Sequence, residues 1–122
     1  VDSYSAFFDN GRFGKTSLHS ILQSADIDTI FVTGLALDYC VKYTALDGKF
    51  LGYDVYVVAD ATRGVDKATS EQAVTLMKQE GIHVIASMDL DGILFRVRAA
   101  SSVVFLSPLV IVAWVSAFLV FL

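Results

Sequence analysis

Thr29-Ile30-Phe31-Val32-Thr33-Gly34-Leu35-Ala36-Leu37-Asp38-Tyr39-Cys40-Val41 is the stretch that decides the fold. Its first five residues form a short apolar, β-branched run without polar alternation. Such a run suits a strand buried on both faces, as in a parallel sheet. Gly34 ends the run, and a helix pattern starts at about Tyr39 and continues to Leu51. Val41, Ala45 and Gly48 fall on one face of that helix, and Gly52 closes it. Gly48 disfavours the helix by about 1 kcal/mol relative to Ala, so its presence predicts a close approach to a sheet.

The same pattern repeats outward. Leu18, Ile21, Leu22 and Ala25 give an amphipathic helix before the first strand, with Thr16 or Ser17 as its cap. Val55–Ala59 is a second buried strand, followed by a loop over 60–64. Thr69-Ser70-Glu71-Gln72 reads as a capping box with Thr69 at the N-cap. Ala73, Val74 and Met77 give the helix after it a buried face, and Gly81 stops it. His83–Ala86 is a third strand. Strands alternating with helices across short loops define an α/β class with right-handed crossovers, a partial parallel sheet and helices on both faces. Residues 1–14 show no period, and Asn10-Gly11 marks a turn there.

Composition removes several functions. The net charge is −4 over 122 residues, and there is no basic stripe to bind nucleic acid. A single cysteine excludes a disulfide framework and zinc sites built from cysteine pairs. The overall apolar content of 55% is uneven. Residues 103–122 carry 17 apolar residues and no charge. As a helix they would span about 30 Å, the thickness of a bilayer core. The reading is therefore a hydrophobic C-terminal helix, with 1–92 as the α/β unit and 93–102 as a linker. Arg96 and Arg98 before the helix would leave the α/β unit facing the cytoplasm, as in a tail-anchored protein. A glycolipid-attachment signal and a segment foreign to the domain are the competing readings of the tail.

The candidate for chemistry is Cys40. It follows the carboxyl end of a parallel strand, where open α/β sheets place their ligands. In a first helical turn, unpaired N–H groups and the helix dipole favour a thiolate. A lone cysteine in such a core is also commonly a small buried hydrophobe. His19 and His83 are each isolated in sequence and read as structural. Asp38, Asp60 and Asp66 read as hydrogen-bonding groups at loops or helix starts.

Gly34–Val41 resembles the nucleophile turn of nicotinamidases, in the isochorismatase-like cysteine hydrolase superfamily. The likeness extends to Val1–Phe7, Leu51-Gly52-Tyr53, Val58-Ala59-Asp60 and Arg63-Gly64, and so covers residues 1 to about 90. The resemblance implies a three-layer α/β/α fold. It implies that Cys40 attacks the carboxamide of nicotinamide, releases ammonia and forms a thioester that water hydrolyses to nicotinate, a step of NAD salvage. It also implies a cis Leu35–Ala36 peptide, an oxyanion hole from the Ala36 and Cys40 amides, and Tyr4 and Tyr39 in the substrate pocket. Leu37 replaces a threonine common in bacterial members.

The family's catalytic aspartate and lysine match no position of this sequence, nor do the ligands of its divalent metal, zinc. Neither His19 nor His83 matches a metal-ligand position. The resemblance therefore implies no metal held by this chain, a missing N-terminal part and little amidase activity for the chain alone. Two alternatives stand beside this reading. One is another amidohydrolase of the superfamily. The other is a non-catalytic, membrane-tethered truncated product.

Overall fold

The computed structural model describes residues 3–98, 102–106, 111–115 and 118–121, with side chains as far as Val97. A loop over 3–17 leads into α1 (Leu18–Ser24) and β1 (Ile27–Leu35). A π-type turn (Leu37–Val41) runs directly into α2 (Lys42–Phe50). Then follow β2 (Asp54–Arg63), α3 (Lys67–Gln79), β3 (His83–Ile85) and α4 (Leu90–Arg98). Three strands, β4 (Ser102–Leu106), β5 (Ile111–Val115) and β6 (Phe118–Phe121), complete the described chain.

The sheet order is β3-β2-β1-β4-β5-β6. The first four strands run parallel, and β5 and β6 add antiparallel. β1 is central because its apolar run is buried on both faces: Ile30, Phe31 and Val32 have no exposed surface. On one face, Leu18 and Leu22 of α1, Ala45 of α2 and Met77 of α3 join Ile30, Val32, Val55 and Val57 in the main core. On the other, α4 lays Leu90, Ile93, Leu94 and Val97 over Phe31, Val58, Tyr56 and Ile85. Helices on both faces follow from this winding. The chain steps outward from β1 to β3 over one face, then returns over the other to place β4 on the far side of β1.

Gly48 sits where α2 meets the sheet. A Cβ there would lie 2.6 Å from Ile30 Cδ1 and 3.4 Å from both Phe7 and Val55. The close approach explains a glycine inside a helix.

Four expectations are corrected. The tail is not one helix: its described residues form β4, β5 and β6. Valine, isoleucine and phenylalanine favour a pleated strand, and pairing with β4 satisfies the backbone groups that β1 would otherwise leave unpaired at a sheet edge. No helix among the described residues is long and apolar enough to cross a membrane. Second, α4 occupies Leu90–Arg98, most of the segment read as a linker, because its apolar stripe covers the open face of β1 and β2.

Third, β2 continues to Arg63 through the expected loop. Its register against β1 jumps from Val32↔Val57 to Gly34↔Thr62, and the extra β2 residues bulge out around Asp60. Fourth, Asp66 rather than Thr69 caps α3. The Asp66 carboxylate accepts from the Thr69 N–H at 3.1 Å, while the Thr69 hydroxyl is drawn to Asp38.

Candidate active site

The site grows from the carboxyl end of β1. Two parallel strands, β1 and β4, lie side by side where the winding reverses, the position at which open α/β sheets form a ligand crevice. Gly34 adopts φ 105°, and the Leu35–Ala36 peptide that follows is cis. The Ala36 carbonyl then accepts from the Tyr39 N–H at 3.1 Å and from the Val41 N–H at 3.0 Å. The second bond spans five residues and makes the turn wider than an α-helix. Cys40 therefore stands in a π-type turn rather than in a first α-helical turn. Turns of this kind occur frequently at functional sites. Cys40 is half-buried, and its thiol makes no hydrogen bond or ion pair among the described residues.

Asp38 anchors the turn from beneath. It is 2% exposed. Its carboxylate accepts from the Thr69 hydroxyl at 2.6 Å, the Val65 N–H at 3.0 Å and the Asp66 N–H at 3.2 Å. The Thr69 bond, helped by the two backbone donors, lowers its pKa to about 2 against the opposing effect of burial. Asp38 is thus a fixed anchor and a poor proton acceptor. Gly64 leaves room for it: a Cβ there would fall 1.7 Å from Ser70 Oγ and 3.4 Å from Asp38 Oδ1.

A pH response follows from this lowered pKa. Between about pH 2 and about pH 4 unfolded Asp38 binds more protons than folded Asp38. Its contribution is therefore complete above that window and is lost as pH falls through it. Thr69→Val removes the leading donor and raises the folded pKa. The thermal midpoint of that variant is expected to start its acid decline near the same pH as the wild type but to lose less and level off at a higher pH, as read by melts at stepped pH.

An aromatic wall flanks the turn. The Tyr4 ring lies 5.7 Å from Tyr39 and 5.8 Å from Tyr43, and all three are partly exposed. Lys42 Nζ stands 4.6 Å from the Tyr43 centroid and 5.9 Å from that of Tyr39. Tyr43 and Lys42 carry no sequence signal beyond their place one turn after Tyr39.

The remaining candidates are structural. His19 Nδ1 is 2.7 Å from the Tyr53 hydroxyl. His83 Nε2 is 3.1 Å from Asp54 Oδ1, and its ring stacks on Tyr56 at 4.4 Å. Asp60 accepts from the Ser87 hydroxyl and N–H, which lower its pKa. Among the described residues no three His, Cys, Asp or Glu side chains converge on a point that would hold a metal. The described residues do not fit a metal centre.

Fold and site together define a doubly wound α/β protein with a cysteine on the strand-to-helix turn. Residues 2–89 match the isochorismatase domain. The nicotinamidase of Escherichia coli is 54% identical over 78 residues, covering 64% of this chain and 37% of that protein. The structure of an Acinetobacter nicotinamidase/pyrazinamidase superposes with a TM-score of 0.70 at 43% identity, covering 74% of this chain and 44% of the other. A pyrazinamidase of Pyrococcus horikoshii, solved in complex with zinc, superposes with a TM-score of 0.62 at 32% identity, covering 70% and 45%. The chain belongs to the isochorismatase family. It spans about two fifths of the length of the E. coli nicotinamidase.

Proposed function

We propose that this chain supplies the nucleophile side of a nicotinamidase site. The observation that carries the reading is the juxtaposition of Cys40, on the π-type turn after the cis Leu35–Ala36 peptide, with the Tyr4–Tyr39 aromatic wall. The sequence likeness to nicotinamidases supports the same substrate. In this reading the pyridine ring of nicotinamide lies against the tyrosines, where stacked or tilted rings attract beyond their buried area. The Cys40 thiolate attacks the carboxamide carbon, and the carbonyl electrons move onto oxygen. The Ala36 and Cys40 N–H groups donate to that oxyanion. Collapse of the tetrahedral intermediate breaks the C–N bond and releases ammonia after proton transfer to nitrogen. Water then attacks the thioester, giving nicotinate and regenerating the thiol.

The proton acceptor for Cys40 is not Asp38, which already accepts three hydrogen bonds and ionises at about 2. Neither histidine serves, since each is engaged elsewhere. The reading assigns the base to none of these three groups.

Alkylation tests the proposal. Nicotinamide should slow the reaction of Cys40 with iodoacetamide in a saturable way, followed by peptide mass spectrometry. Cyclohexanecarboxamide, which lacks the aromatic ring, should not. Equal rates with and without nicotinamide would sink the reading.

A further inference from the structure

The loop over 3–16 lacks regular secondary structure, yet it carries Tyr4 to the Cys40 turn. Its own hydrogen bonds fold it: Tyr4 N–H donates to Asn10 Oδ1 at 2.9 Å, and Phe13 and Gly14 N–H donate to the Asp9 carboxylate at 2.9 and 2.8 Å. Two ties fix it to α2. Ala6 N–H donates to Thr44 Oγ1 at 3.0 Å. The second is Arg12, whose guanidinium pairs with Asp47.

This pair has unusual surroundings for a loop residue. The Asp47 side chain is only 7% exposed. The guanidinium also stands 5.7 Å from the Phe8 ring centroid and 5.0 Å from that of Phe50. A cation flanked by two rings and facing a buried carboxylate is held in one place. Arg12 has a φ of 57°, so the backbone itself bends to deliver it. Arg12, Asp47, Tyr4, Asn10 and Tyr43 line one groove between the loop and α2. Asp47 lies one helical turn after Tyr43, on the helix that follows Cys40.

We propose that Arg12 and Asp47 are positioning residues that lock the Tyr4 loop onto α2, and so hold Tyr4 against Tyr39 and Tyr43 as one aromatic wall. Without the lock the loop keeps its internal hydrogen bonds, the Ala6–Thr44 tie and the buried Phe7 and Phe8, but its Tyr4 end loosens from the wall. The consequence for the ligand rests on the nicotinamidase reading; the lock itself does not.

Near-UV circular dichroism of the tyrosine band tests the lock, with Tyr4→Leu marking the part of that band that depends on Tyr4. Arg12→Met should lose the band change that Tyr4→Leu loses, while the far-UV spectrum keeps its helix signal. Arg12→Lys preserves the charge beside Asp47, so it keeps the fold should Arg12→Met lose it. It still loses the flat fork between Phe8 and Phe50, and should show part of the same change. An unaltered band in Arg12→Lys and Arg12→Met overturns the lock. In the alkylation assay, the nicotinamide concentration for half-protection of Cys40 should rise about tenfold in Arg12→Met, as for lost uniform binding. A changed tyrosine band with unchanged protection overturns the link to the ligand. If nicotinamide gives the wild type no protection, the nicotinamidase reading fails and the dichroism still decides the lock.

Discussion

In a protein that carries this chain together with the proton acceptor for Cys40, replacing Cys40 by Ala should abolish nicotinate production, with a loss of at least about a thousandfold. The size follows from chemistry, since no other thiol exists in the chain to form the thioester. The protein should meanwhile stay folded. Cys40 is half-buried and its thiol bonds to nothing among the described residues, so alanine leaves only a small gap. The two measurements must therefore separate: turnover falls to background while the melting midpoint moves by no more than about 5 °C. Retained turnover would remove Cys40 from the mechanism. Joint loss of turnover and fold would show that the cysteine is a packing residue.

The largest effect on stability is expected at Asp38. Asp38→Ala takes the acceptor from three donors at once, Val65 N–H, Asp66 N–H and the Thr69 hydroxyl. The three bonds are partly buried, so water makes up only part of their loss. The thermal midpoint should fall by on the order of 10 °C. Asp38→Asn should fall less. Its carbonyl still accepts, and the Thr69 hydroxyl can rotate to accept from the new amide. Because Asp38 ties the Cys40 turn to the start of α3, both variants should also weaken nicotinamide protection of Cys40. An Asp38→Ala protein that melts like the wild type would show that the three bonds do not hold the turn.

Much of the α/β unit is legible in the sequence because its signals are local. The apolar run 29–33, the helix period of Leu18–Leu22 and the glycines at 34, 52 and 81 each act within one turn or strand. Gly48 could be predicted to touch the sheet because a helix interior tolerates glycine poorly without such a reason. The Cys40 turn was found by its position after a buried strand and by likeness to known nucleophile turns. The network beneath it was less visible. Thr69 satisfies a capping-box pattern, yet its hydroxyl serves a carboxylate 31 residues away. Sequence spacing carries no information on that partner.

The tail shows the same limit more sharply. An apolar stretch of this length fits a membrane helix and a set of buried strands equally well by hydropathy. Its described part forms strands because β1 presents backbone groups that need a neighbour, a demand set by another part of the chain. The amino-acid sequence alone determined the alternation of strands and helices, the class of fold and the cysteine at the strand end, since periodicity and turn chemistry are properties of neighbouring residues. Only the tertiary structure decided that the tail joins the sheet, that Asp38 takes its hydrogen bonds from Thr69, Val65 and Asp66, and that Arg12 and Asp47 hold the Tyr4 loop to α2. Those outcomes depend on which groups become buried together, and burial is fixed only when distant segments meet.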